Sequence, residues 1–214
     1  MKLRPEEMRL YAVTARISAK SSQELLEQVA LAAEGGATIV QLREKHMDDA
    51  ELTRQARAFA ALCREKGVYS IINDRADIAV AAGADGAHVG QSDLEAGRAR
   101  EILGPNRILG VSAHSVEEAL RAEAAGADYL GVGAAFLTDT KTDAKPISHT
   151  LYREITRAVR IPVVAIGGIT RENILELSGG GLSGVAVVSA LFGAEDVRAA
   201  AREMRALAER IAEA

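Results

Sequence analysis

The sequence predicts an α/β fold and, within that class, a single-domain (β/α)8 TIM barrel spanning residues 1–214. Three observations predict it. Short apolar runs rich in β-branched residues recur eight times, and the stretches between them have helical period, as in a parallel sheet covered on both faces. Capping signals and glycines mark where the helices start and stop. Polar residues gather directly after the strand runs, where barrels of this kind carry their active sites. An open doubly wound sheet is the other arrangement of eight such units; closure is the commoner one and leaves no exposed strand edge.

The strands are expected at 10–14, 38–42, 69–72, 87–89, 108–112, 129–133, 163–167 and 185–189, the fourth being the shortest. After the first, Ser21-x-x-Glu24 has capping-box spacing, and Leu25, Val29 and Ala32 line one face of the helix that follows. Gly35-Gly36 closes that helix before the second strand. Asp48-x-x-Glu51 opens the second helix in an acidic variant of the same box, and Gly67 ends it. Gly83, Gly126 and the Gly179-Gly180-Gly181 run play the same closing part later, and Ser115-x-x-Glu118 opens the helix after strand five. The last helix carries Val197, Met204 and Ile211 on its apolar face. A weak internal echo, Gly83-Ala84-Asp85-Gly86 against Gly126-Ala127-Asp128-Tyr129, sits each time between a helix and a strand and suggests repeated βα units.

Composition agrees. Of 214 residues, 48% are hydrophobic and only 3% aromatic, which suits close packing of helices on a sheet around one sizeable core. The net charge is −4 and the charges are interspersed with no long basic run, so no nucleic-acid partner is expected. Cys63 shares helical spacing with Leu52, Ala56 and Phe59 and reads as a small core thiol. A single cysteine has no internal disulfide partner, no apolar leader opens the chain, and no apolar stretch approaches the ~20 residues of a membrane span. A soluble cytoplasmic protein is expected, a monomer or small homo-oligomer with no membrane partner.

The chemistry-bearing residues cluster at the strand ends. Strand two runs into Gln41-Leu42-Arg43-Glu44-Lys45, strand three into Asn73-Asp74-Arg75, strand four into Gly90-Gln91-Ser92-Asp93, and strand five into Ser112 with His114 beyond. After strand six comes Thr138-Asp139-Thr140-Lys141-Thr142-Asp143-Ala144-Lys145. Strand seven ends in Gly167-Gly168 and strand eight in Val188-Ser189, followed by Ala190-Leu191-Phe192, a candidate helical turn whose amino end favours an anion. Barrels often bind phosphate with these last two loops. Arg43, Lys45 and Lys141 converge as three cations, more than one phosphate needs, which points to a diphosphate. Asp74 and Asp93 are the candidate ligands for Mg²⁺, an ion typically held by one or two carboxylates plus substrate phosphate. Taken singly, Asp93 also reads as a cap for a helix starting near Leu94. His88 lies inside a strand and reads as a packed, hydrogen-bonded residue; no His/Cys set has zinc spacing.

In these words, taken in order, the chain resembles the thiamine-phosphate synthase family over essentially its whole length. The words are Gln41-Leu42-Arg43-Glu44-Lys45, Ile72-Asn73-Asp74-Arg75-Ala76-Asp77, His88-Val89-Gly90-Gln91-Ser92-Asp93, Leu109-Gly110-Val111-Ser112, Thr138-Asp139-Thr140-Lys141 and Ala165-Ile166-Gly167-Gly168-Ile169. The resemblance implies a transferase in which hydroxymethylpyrimidine diphosphate loses pyrophosphate to the ring nitrogen of thiazole phosphate, with Mg²⁺ as cofactor and a dissociative course through a pyrimidine cation. It implies that Gln41, Arg43, Lys45, Asn73 and Ser112 contact the pyrimidine diphosphate, with Leu42 and Glu44 in the same word, and that Asp74 and Asp93 hold the metal. Lys141 would grip the departing pyrophosphate, making Lys141, Arg43, Lys45 and Ser112 the catalytic set. Thr138, Asp139, Thr140, Gly168, Val188 and Ser189 would serve the thiazole phosphate side.

The sequence departs from the family pattern twice. Gly133-Ala134-Ala135-Phe136-Leu137-Thr138 lacks the two prolines usual there, which predicts a looser empty loop. Tyr11-Ala12-Val13-Thr14-Ala15-Arg16 replaces the usual opening Val-Thr-Asp, touching no expected ligand contact. The alternatives are a thiazole tautomerase-like isomerase on the same barrel, an unrelated sugar-phosphate isomerase, and a non-catalytic phosphate-ligand sensor. Retention of Asn73-Asp74, Asp93 and Lys141 argues against the first, and no placed general base is evident for the second.

Overall fold

The computed structural model describes residues 3–17, 19–137 and 146–213. Eight parallel strands form a closed barrel in sequence order: β1 (Leu10–Val13), β2 (Ile39–Leu42), β3 (Tyr69–Asn73), β4 (Gly86–Val89), β5 (Ile108–Ala113), β6 (Tyr129–Gly133), β7 (Val163–Ile166) and β8 (Gly184–Val187). Closure is made by β1 against β8, with Leu10 opposite Val185 and Ala12 opposite Val187. The short fourth strand pairs fully on both sides, through Asn73 opposite His88 and Val89 opposite Val111.

Around the barrel lie α1 (Ser22–Glu34), α2 (Asp49–Lys66), α3 (Ala76–Ala82), α4 (Ala96–Leu103), α5 (Val116–Ala124), α6 (His149–Ala158), α7 (Ser189–Phe192) and α8 (Val197–Ala212). The three expected caps are all formed: Ser21, Asp48 and Ser115 accept from the amides of Glu24, Glu51 and Glu118. Gly67 ends α2 in the left-handed region at φ 70°, a conformation that costs a side-chain-bearing residue about 1–2 kcal/mol. Two expectations are corrected. Strand eight stops at Val187, and Ser189 belongs to α7, because the chain turns into that short helix directly off the strand. Between β7 and β8 the described chain carries a single 3-10 turn, Ile174–Leu177, in place of an α-helix.

The two faces of the strands build two separate cores. Leu10, Ala12, Val40, Leu42, Ile72, Val111 and Leu130 point outward and pack under the helices with Leu25, Phe59 and Cys63, all almost fully buried. Tyr11, Val13, Ile39, Ile71, Ile108, Tyr129, Val164 and Ala186 fill the barrel interior, and Leu3 and Met8 join them from the chain preceding β1. This is the period-two alternation of a strand closed on itself. Cys63 is the inert core thiol its spacing suggested, with burial pushing its ionisation up.

The Gly-Ala-Asp echo has one structural meaning. Asp85 accepts from the Ser70 amide and hydroxyl at the start of β3. Asp128 accepts from the Leu109 amide at the start of β5 and from Arg100 at 2.6 Å. Both carboxylates pin neighbouring strands at the amino-terminal end of the barrel, leaving the other end for chemistry. Among the described residues no helix is long and apolar enough to cross a membrane.

Candidate active site

The carboxyl-terminal mouth is built by the last inward-facing residue of each strand. Continuing the alternation from Ile39, Ile71 and Ile108 sends Gln41, Asn73 and Ser112 inward, and His88 occupies the same layer on β4. Gln41 is 5% exposed although polar, so its amide must be satisfied within the barrel. Its Nε2 donates to the Tyr11 hydroxyl at 2.6 Å. Ser112 Oγ lies 3.0 Å from His88 Nε2, and Gln91 Nε2 donates to the Ser112 carbonyl at 2.6 Å, tying the loop after β4 to the end of β5.

The carboxylate pair sits beside this layer. The Asp74 amide donates to the His88 carbonyl at 2.8 Å, extending the β3–β4 ladder one step past the strand. Asp74 then takes φ 62°, a left-handed conformation for a non-glycine residue, of the kind that concentrates at functional sites. Asp93 is held from behind: its Oδ2 accepts from the Gly90 amide at 2.8 Å. It does not cap a helix, because α4 begins at Ala96 with Glu95 at the cap position.

Burial, a shared hydrogen bond with Asp93 and the repulsion of that carboxylate push the Asp74 carboxyl up to about 6, with Lys45 and Asn73 pulling the other way. Asp74, Asp93, Asn73 and Lys45 therefore form one electrostatic unit. Two facing carboxylates with an excess of negative charge and only oxygen donors suit a hard divalent cation such as Mg²⁺. Among the described residues no group of three or more His, Cys, Asp or Glu side chains converges as a metal site, so the pair would rely on ligand oxygens to complete coordination.

The loop after β2 divides into members that face the mouth and members that brace it. Arg43 is half-buried, and its amide donates to Thr14 Oγ1 at 3.0 Å. Lys45 is exposed on the rim. Leu42, expected among the substrate contacts, is 1% exposed and packs outward under the helices; its neighbour Gln41 takes the inward position, so Leu42 has no side chain to offer a ligand. Glu44 is turned to Arg16, which donates to it at 2.8 Å. The unusual opening segment is thus part of the brace, through Thr14 on Arg43 and Arg16 on Glu44.

On the far side of the mouth, Gly167 and Gly168 have φ 102° and 65°. A Cβ on Gly168 would lie 2.7 Å from the Leu137 carbonyl oxygen and 2.9 Å from that of Phe136, so glycine is needed for the two loops to approach. Asn173 fixes the turn by donating to the Gly168 carbonyl at 2.8 Å. The half-buried Val188 and exposed Ser189 stand where β8 passes into α7. Thr138, Asp139, Thr140 and Lys141 lie outside the described residues. His114 is drawn away from the mouth to Glu118 at the start of α5, 3.0 Å from its carboxylate.

Sequence reasoning missed Tyr11, Tyr129, Thr14 and Arg16. The two tyrosines lie at inward register positions of β1 and β6, so period two was the available signal; their meeting across the barrel had none.

Comparison with known proteins gives a consistent result. The chain matches the family model described as thiamine monophosphate synthase over residues 10–191. It is 49% identical over 197 residues to the thiamine-phosphate synthase of Ruminiclostridium cellulolyticum, a match covering 91% of this chain and 92% of that protein. Identity to the thiamine-phosphate synthase of Moorella thermoacetica is 51% over 186 residues, covering 86% and 89%. Among solved structures, the thiamine phosphate pyrophosphorylase from Pyrococcus furiosus superposes with a TM-score of 0.87 at 41% identity, covering 97% of this chain and 98% of that one.

Proposed function

The chain belongs to the thiamine monophosphate synthase family, and from that membership we propose how its own residues divide the work of a thiamine-phosphate synthase, a transferase of thiamine biosynthesis. The substrates are hydroxymethylpyrimidine diphosphate and thiazole phosphate; the products are thiamine phosphate and pyrophosphate. The C–O bond between the pyrimidine methylene and the diphosphate breaks, the electron pair leaves with pyrophosphate, and the thiazole ring nitrogen supplies the pair for the new C–N bond. Little acid–base chemistry is needed, so catalysis rests on positioning and on neutralising the leaving group.

The observation that carries this reading is the convergence of Gln41, Asn73 and Ser112 in one inward layer beside the Asp74–Asp93–Lys45 unit. Gln41, Asn73 and Ser112 would hold the pyrimidine end, and Arg43 and Lys45 would face the diphosphate, Arg as a fork and Lys as a point charge. Asp74 and Asp93 would hold Mg²⁺. When bound, the ion would neutralise diphosphate oxygens and help the leaving group depart. Lys141 is assigned to the departing pyrophosphate on the family resemblance, and Thr138, Asp139, Thr140, Gly168, Val188 and Ser189 to the thiazole phosphate. Glu44, an acid already paired with Arg16, would act on loop geometry and not on phosphate. The lone buried thiol and the acidic, interspersed charge fit a cytoplasmic enzyme.

Pyrophosphate release tests the reading. It is expected only when both substrates and Mg²⁺ are present; release from the pyrimidine diphosphate alone at the full rate, or turnover in excess chelator, contradicts it.

A further inference from the structure

Four contacts link five side chains across the barrel interior. Gln41 Nε2 meets Tyr11 Oη at 2.6 Å, Tyr11 Oη meets Tyr129 Oη at 2.7 Å, Tyr129 Oη meets His88 Nδ1 at 3.0 Å, and His88 Nε2 meets Ser112 Oγ at 3.0 Å. The chain passes through β2, β1, β6, β4 and β5, and its two ends are residues assigned above to the pyrimidine. Space has been cleared for it. A Cβ on Gly110 would fall 2.2 Å from Tyr129 Oη and 2.5 Å from His88 Nδ1, and one on Gly131 would fall 3.1 Å from His88 Cε1. Tyr11 and Tyr129 stack edge to face at 5.7 Å, which fixes their hydroxyls against each other.

We propose that Tyr11, Tyr129 and His88 are positioning residues that couple Gln41 to Ser112, so that the two ends always show the substrate one hydrogen-bond donor and one acceptor. Both phenols are almost fully buried, and burial pushes their ionisation up, so each keeps its single proton. A neutral imidazole also carries one proton, and each of the four contacts needs one.

With Gln41 Nε2 donating, the Tyr11 proton goes to Tyr129 and the Tyr129 proton to His88 Nδ1. The His88 proton then sits on Nε2 and points at Ser112, which leaves the serine O–H directed away from the chain. Gln41 offers its carbonyl to a ligand and Ser112 its hydroxyl. If the amide turns over, every proton reverses, and Gln41 offers N–H while Ser112 offers a lone pair. Both states pair a donor with an acceptor.

This inference rests on the proposed substrate, whose pyrimidine carries an amino group beside a ring nitrogen, itself a donor next to an acceptor. A site with both partners preset rejects an analogue lacking one of them, because a buried group is then left unpaired.

The test uses the full chain and two substrates: the natural pyrimidine diphosphate and its analogue lacking the amino group. Tyr129→Phe keeps the ring and cuts the chain. The wild type is expected to bind the amino compound about tenfold or more tightly by Kd, and Tyr129→Phe to reduce that preference to within about threefold. The KM for thiazole phosphate should change less than twofold. Tyr11→Phe gives a second break at the other phenol and the same expected loss, should the first variant fold poorly.

Independently of turnover, ¹⁵N shifts of labelled histidine in the substrate-free protein should show the His88 tautomer ratio changed by Tyr11→Phe, a substitution two contacts away. An undiminished preference in both variants, or a His88 tautomer ratio that Tyr11→Phe leaves unchanged, overturns the coupling. A wild type that releases no pyrophosphate with both substrates sinks the substrate assignment instead, and the ¹⁵N result then decides the chain by itself.

Discussion

At the mouth of the barrel, burial and the neighbouring Asp93 carboxylate together hold the Asp74 carboxyl above its ordinary value. The backbone of Asp74 is committed to this arrangement by its left-handed φ of 62°. The same proximity that raises the Asp74 pKa would favour a divalent cation between the two carboxylates.

That relationship gives a pH prediction. An unfolded Asp titrates near ~3.9, whereas folding pushes Asp74 up to about 6. The sign is that of a raised acid: its protonated form favours the fold, a contribution complete below pH ~4 and lost as pH rises through about 6. Asp74→Asn, which tolerates the left-handed backbone, should therefore be more stable than the wild type in chelator at pH 8. The difference should disappear by pH ~4. Thermal unfolding across that range checks it, and a variant less stable than wild type at pH 8 would contradict the sign. Added Mg²⁺ should raise the wild-type Tm at pH 8 and not that of the variant.

Arg16 and Glu44 should act on substrate binding without touching substrate. Their 2.8 Å ion pair braces the loop that carries Arg43 and Lys45. Arg16→Ala is expected to raise the KM for the pyrimidine diphosphate several-fold with little change in folding. A double-mutant cycle with Glu44→Gln should give a coupling of about 0.5–1 kcal/mol in kcat/KM. Strict additivity would remove the brace.

Lys141→Ala tests the pyrophosphate role. Loss of one group that stabilises developing charge typically costs roughly 10²–10³ in kcat. The unfolding midpoint should move little by comparison. Single-turnover pyrophosphate release separates the two effects, and a near wild-type rate would refute the assignment.

Gly168→Ala should damage both stability and thiazole phosphate binding. The substituted residue would keep φ near 65° and press its Cβ to 2.7 Å from the Leu137 carbonyl oxygen. A cost of about 1–3 kcal/mol is expected. Denaturant unfolding measures it, and the KM for thiazole phosphate should rise more than that for the diphosphate.

Asp128 provides the contrasting case at the opposite end. It accepts from Arg100 and from the Leu109 amide, and its side chain is 13% exposed. Asp128→Ala should lower stability by roughly 1.5–3 kcal/mol while leaving kcat/KM unchanged. A selective fall in kcat/KM would mean that this end also communicates with the mouth.

Several departures from the sequence expectation have local physical explanations. Leu42 lies inside a polar word, yet strand alternation sends its side chain under the helices once Gln41 faces inward. Asp93 looked like a helix cap because Leu94 follows it, but the chain first loops back so that Asp93 meets Gly90. The expected helix before strand eight became a 3-10 turn, with the glycines at 179–181 following it.

The sequence by itself determined the eight strand positions to within a residue or two, the three caps, the two-faced packing and the end of the barrel that carries the polar residues. These follow from interactions within about four residues of each other, from period two in strands and from period 3.6 in helices. Tertiary structure alone decided which inward side chains meet. Tyr11 and Tyr129 touch across 118 positions of chain, and no local pattern encodes that contact, because barrel closure sets how far each strand is staggered against the next. It also decided the left-handed turn at Asp74, which is held by a ladder bond to His88 on the neighbouring strand.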